Sequence, residues 1–138
     1  MIEKHPLCPD RLRTIGGSFA FIEHRFLREG FWRALGHHEL LLYVFLILVA
    51  DRQGLSYYSF DKICSLLQFS LDEYVLARNA LIHKDLIAFD GHLFQVLSLP
   101  PTPVTSPQTP LRHPHQMAQA DPATIRGLIR ASLGVHDD

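Results

Sequence analysis

The stretch SFDKICSLLQFSLDEYVLARNALIHK, residues 59–84, contains two helix starts that lie eleven residues apart. Ser59 is a good N-cap for a helix that runs to about Gln68. Ser70 with Glu73 three residues later forms a capping box, which is a specific signal for a second start. Because only a few residues separate the two helices, the stretch predicts a helix-turn-helix.

The apolar spacing assigns an inner face to each of these helices. The first helix is expected to bury Phe60, Ile63, Leu66 and Leu67. The second is expected to run to about Lys84 and to bury Leu71, Tyr74, Leu81 and Ile82.

A further helix is predicted upstream, from His37 to about Arg52, with Gly54 as its terminal cap. Its apolar run Leu40–Ala50 has eleven residues, well short of the ~20 that a membrane span needs. We therefore expect a buried central helix and no membrane association. Ser18–Ile22 fits a short strand, and residues 23–35 predict one or two short helices.

A β-hairpin is predicted after the helices. Asp90-Gly91 separates the short apolar runs LIAF and HLFQVL, the strongest local hairpin signal. Three helices followed by a hairpin give a mainly α fold with a small β-hairpin (α+β), in the order of a winged helix-turn-helix, over residues 36–99.

The chain is expected to divide into four parts. Residues 1–17 predict an N-terminal arm, and residues 18–99 a winged-helix domain with an N-terminal strand and helix. Seven of the nine prolines lie from Pro100 onward, so residues 100–120 predict an extended linker. Asp121-Pro122 predicts the start of a short amphipathic helix within residues 121–138.

The composition and the absence of certain motifs exclude several classes of function. The chain of 138 residues is 47% hydrophobic with a net charge of -1, which is typical of a soluble globular domain. Two cysteines make no disulfide framework, so a cytoplasmic, reducing location is expected. We find no phosphate-binding glycine loop, nucleophile elbow or zinc-ligand spacing. No enzyme activity, metal or cofactor is therefore predicted.

A family resemblance covers about residues 31–99. It is carried by ELLLY at 39–43, ADRQGLS at 50–56, YSFDKI at 58–63, ARNALI at 77–82 and DLI at 85–87. These segments resemble small winged-helix proteins of bacterial mobile elements and the winged-helix domains of plasmid replication initiators. The resemblance implies double-stranded DNA as partner, and a role in transcription regulation or as an accessory of replication or transposition.

Candidate DNA contacts follow from this fold, in which the third helix enters the major groove. On that helix we expect Arg78, Asn79, His83 and Lys84 to face outward, together with Asp72 and Glu73. Arg78 matches guanine and Asn79 matches adenine; alternatively, Arg78 packs its stem on the core. Further candidates are Tyr57, Tyr58, Lys62 and His92, and in the N-terminal segment Arg11, Arg13, Arg25 and Arg28.

The charge distribution opposes a simple DNA interface. Residues 36–99 carry four Lys/Arg against seven acids, whereas residues 1–35 carry six against four. DNA binding is therefore expected to depend on the N-terminal arginines as much as on the third helix. The alternative is a protein-interaction adaptor that recruits a recombinase, a replication protein or a second subunit. Its contacts would be the aromatic segment 18–35, which suits a homodimer, and the tail stripe Ile125, Leu128, Ile129 and Leu133.

Overall fold

The computed structural model describes residues 3–104, which contain an α+β arrangement compatible with a winged-helix layout. The α-helices are α1 (Arg25–Arg28), α2 (His37–Val49), α3 (Phe60–Leu67) and α4 (Leu71–His83), preceded by a 3-10 turn at Pro9–Arg11. The strands are β1 (Leu55–Tyr57), β2 (Ile87–Phe89) and β3 (Leu93–Val96). The tail stripe at residues 125–133 lies outside the described residues.

Both predicted helix starts are confirmed. The Ser59 hydroxyl accepts the backbone N–H of Lys62, which caps α3. Ser70 and Glu73 form the full capping box at α4, with reciprocal bonds of 3.1 and 2.7 Å. These side chains satisfy backbone donors that a helix start leaves without partners. They therefore fix where α3 and α4 begin, and so the geometry of the turn between them.

The central helix α2 ends three residues before the predicted boundary, at Val49. The cause is Asp51, whose carboxylate accepts the backbone N–H groups of Gln53 and Leu55. This turn competes with continued helix. Gly54 lies inside the turn at φ +84° and is not the cap of α2, which is Ala50.

The sheet is three-stranded and antiparallel, in the order β1-β3-β2. The predicted hairpin is confirmed as β2 and β3, and Phe89 pairs with Phe94. Strand β1 was not predicted, because its partner lies about 40 residues later, with Leu55 opposite Gln95. A three-residue strand carries too little alternation to be recognised by itself.

The predicted strand at Ser18–Ile22 is wrong. The segment has no strand partner, and Phe19 and Phe21 are 69% and 74% exposed. Within the described chain, every residue from Glu3 to His24 is exposed. Apolar and aromatic composition alone does not make a strand when the segment pairs with no other strand.

The core lies between α2, α4 and the sheet. Leu42 and Leu46 of α2, Leu81 of α4 and Phe94 of β3 have no solvent exposure. Each such side chain contributes about 1.5–3 kcal/mol through burial. Leu66, predicted to face inward on α3, is 55% exposed and does not join this core.

We predict that Gly54→Ala destabilises the domain by roughly 1–3 kcal/mol. A β-carbon at this position would lie 2.6 Å from the Val96 carbonyl oxygen, and the positive φ adds backbone strain. Urea unfolding measures the effect. Gly17→Ala is the matched control, because no atom lies within 4 Å of its β-carbon. Equal stability of the two variants would show that neither the close approach to Val96 nor the positive φ requires glycine at position 54.

Candidate nucleic-acid interface

A cleft of about 650 Å³ lies between the N-terminus of α3 and the β2–β3 turn. Tyr57 and Tyr58 reach it from the end of β1, and His92 reaches it from the turn. Tyr74 of α4 and Phe89 of β2 contribute the aromatic part of its lining. Three residues predicted from the sequence as DNA contacts are thus brought together on one surface.

The β2–β3 turn is held by Asp90. Its carboxylate accepts the backbone N–H groups of His92 at 2.9 Å and Leu93 at 2.7 Å. These bonds, the one from Leu93 foremost, hold the pKa of Asp90 below its usual value. Because the carboxylate is engaged with the backbone, the turn keeps the exposed His92 at the rim of the cleft.

Arg78 lies beneath this lining, not on the outer surface of α4. Its guanidinium carbon is 5.4 Å from the centre of the Tyr74 ring and 5.2 Å from that of Phe89. Nε and Nη2 donate to Oδ1 of Asn79 at 3.2 and 3.0 Å. Arg78 is only 1% exposed. The prediction that it faces outward and contacts a base is therefore wrong.

Helical periodicity explains the position of Arg78. Residues 74, 78 and 81 lie on one face of α4, and Tyr74 and Leu81 are both buried. The opposite face carries Asp72, Leu76, Asn79 and His83. Leu76 is 71% exposed and was missed as a surface residue. A helical wheel drawn from the capping box at Ser70 would have placed Leu76 on the outer face.

Lys84 is also directed inward. Its ammonium group donates to the carbonyl oxygen of Ala34 at 2.6 Å and pairs with the carboxylate of Glu39. These contacts connect the end of α4 to the segment that precedes α2 and to α2 itself. The prediction that Lys84 faces outward toward DNA is therefore wrong, because its charge is neutralised within the domain.

Arg25 is the third cation with an internal function. It donates to the carbonyl oxygens of Leu99 at 2.9 Å and Pro100 at 3.0 Å. It also pairs with Glu23 and Glu29 and lies over the ring of Phe31. Arg25 was predicted to line a DNA-facing edge; its five contacts instead fasten the chain that follows β3 onto α1.

The remaining predicted contacts differ in exposure. Arg11, Arg13, Arg28, Tyr57, Lys62 and His92 are exposed. Tyr58, Asn79 and His83 are half-buried. The exposed arginines and lysine among these predicted contacts therefore lie on the arm, on α1 and on the first turn of α3.

The first turn of α4 is acidic. Asp72 is exposed, and the backbone N–H of Ser70 is the main cause that lowers the pKa of Glu73. Glu73 also lies 3.2 Å from the His38 imidazole. Carboxylates in this turn interact favourably with the helix dipole, but they repel phosphates. The outer face of α4 therefore lacks the charge expected of a helix that approaches a phosphate backbone.

Residues 3–104 were also searched for a metal site and for a membrane-spanning helix. No group of three or more His, Cys, Asp or Glu side chains there could hold a metal ion. In the same residues, no helix has the length and apolar character to cross a membrane. The sequence matches no family model and no curated protein, and the structure matches no solved structure.

We predict that Arg78→Ala destabilises the domain by roughly 2–3 kcal/mol, because the two rings lose the group packed between them. Urea unfolding provides the measurement. Arg13→Ala removes the same side chain from an exposed position, so its effect should remain within about 0.5 kcal/mol. A similarly small effect for Arg78→Ala would show that the buried guanidinium contributes little to stability.

Proposed function

We propose that the protein binds duplex DNA through a winged-helix domain, as a transcription regulator or an accessory factor of a bacterial mobile element or plasmid. The order α2-β1-α3-α4-β2-β3, with β1 beside the β2–β3 hairpin, supports this layout. In winged-helix domains, the helix pair and the hairpin approach one side of the duplex.

The observation that carries the proposal is the convergence of polar groups at the 650 Å³ cleft. Tyr57, Tyr58 and His92 line it together with Asp90, and Lys62 lies beside Asp61 in the adjoining first turn of α3. Hydroxyl, imidazole and ammonium groups are donors that contact phosphate oxygens. This surface would position the duplex without reading its bases.

The arm supplies the second set of contacts. Arg11 ends the 3-10 turn and Arg13 follows it, and both residues are exposed. An exposed basic arm can follow the backbone or enter the minor groove, as the arms of homeodomains do. This contribution is needed because residues 36–99 carry more acids than basic residues.

The outer face of α4 would add little affinity. Arg78 and Lys84 are engaged inside the domain, which leaves Asn79 and His83 as its polar groups beside Asp72 and Leu76. Of the predicted contacts, four exposed arginines and lysines remain: Arg11, Arg13, Arg28 and Lys62. Four phosphate contacts correspond to a slope of log K against log salt of about -3.6.

We predict that Arg11→Ala/Arg13→Ala makes this salt slope shallower by about 2, because two phosphate contacts are lost. Fluorescence anisotropy with a labelled random duplex at several salt concentrations measures the slope. Arg52→Ala is the control, since Arg52 is exposed but precedes β1, at the end away from the cleft. Its slope should equal that of the wild type.

A wild-type affinity that does not change with salt would overturn the proposal. It would favour the second candidate, an adaptor that recruits a recombinase, a replication protein or a second subunit. The observation behind this alternative is Leu76, a large apolar side chain 71% exposed at the centre of α4. A single exposed leucine is ordinary, but here it replaces the polar centre expected of a DNA-reading helix.

A further inference from the structure

A second cleft, about 370 Å³ in volume, lies around α1. Ile22, Phe26, Leu27 and Trp32 supply its apolar lining. Leu27 is 65% exposed and Trp32 is 50% exposed. Residues 3–104 thus leave a concave apolar surface open to solvent, the kind of surface that takes an apolar partner.

The chain passes α1 as it leaves the described region. Arg25 of α1 holds the carbonyl oxygens of Leu99 and Pro100. A β-carbon at Gly30 would lie 3.6 Å from Cγ of Pro103, so Pro103 lies against the turn after α1. Val104, the last described residue, therefore follows directly on a segment that is held against α1 and its turn.

We propose that residues 121–133 of the same chain dock into this α1 cleft. Ile125, Leu128, Ile129 and Leu133 share one face if this segment is helical. They match the apolar lining of the cleft.

Tethering makes the intramolecular contact favourable. Residues 105–120 connect Val104 to the segment, and sixteen residues span at most roughly 55 Å when extended. A covalent connection that spans two sites gives an effective concentration in the millimolar range. A helix this short is marginal by itself in water, so burial of its apolar face would also stabilise it. At micromolar protein concentration, the tethered segment outcompetes a second copy.

Trp32 provides a direct probe, because it is the one tryptophan of the 138 residues and lines the cleft. The test compares the wild-type full chain with Leu128→Asp/Ile129→Asp by acrylamide quenching and emission maximum. Gly127→Asp/Ala131→Asp is the matched control, since it adds the same two charges on the other face of the helix. Circular dichroism verifies that all three proteins are folded.

The proposal expects at least about twofold faster quenching and a red-shifted emission for Leu128→Asp/Ile129→Asp, with the control equal to the wild type. The shielding should persist over a hundredfold dilution, as required for a contact within one chain. Equal quenching of wild type and Leu128→Asp/Ile129→Asp would overturn it. Shielding that disappears on dilution would also overturn it, because a second copy would then fill the cleft. Neither result depends on whether the protein binds DNA.

Discussion

The stacking of Arg78 between Tyr74 and Phe89 determines how the rest of the domain is arranged. A buried guanidinium is costly unless its charge and its N–H groups find partners. The two rings and the Asn79 side chain supply them, and they join α4 to β2 at one point. This contact fixes the rotation of α4 about its axis, and with it the residues that α4 presents to solvent.

The rotation of α4 also determines which of its charged side chains face solvent. With Arg78 inside, the outer face of α4 presents Asp72 and Leu76. Lys84 and Arg25 are likewise used to hold neighbouring segments together. Three cations therefore stabilise the domain instead of supplying a binding surface. Of the predicted DNA contacts, the exposed arginines and lysine are Arg11, Arg13, Arg28 and Lys62, and none of them lies on α4.

The helices and the hairpin were accessible from the sequence because their signals are local. Ser59, the Ser70–Glu73 capping box and Asp90-Gly91 each act within a few residues, and all three are confirmed. Strand β1 was not accessible, because it depends on a partner 40 residues away. Ser18–Ile22 illustrates the reverse error, since its apolar residues suggested a strand but the segment is exposed and pairs with no strand of the sheet.

The candidate site was predicted less well than the fold. Tyr57, Tyr58 and His92 were named from their positions beside helix starts and the turn, and they do line one cleft. Arg78 and Lys84 were named as outward-facing cations of the third helix, and Arg25 as a cation at the edge of the domain. Charge does not reveal whether a long side chain turns toward solvent or toward an aromatic ring or a carbonyl group. A consistent helical wheel for α4 would have placed Arg78 inside.

Chemical-shift mapping of the labelled protein during titration with duplex DNA tests the central claim most directly. The claim is that phosphates contact the arm and the cleft at α3, and not the centre of α4. The account predicts the largest amide shifts at Arg11–Arg13, Tyr57–Lys62 and His92, with small shifts at Leu76 and Asn79. Shifts concentrated on Leu76, Asn79 and His83, or the absence of any shift, would contradict it.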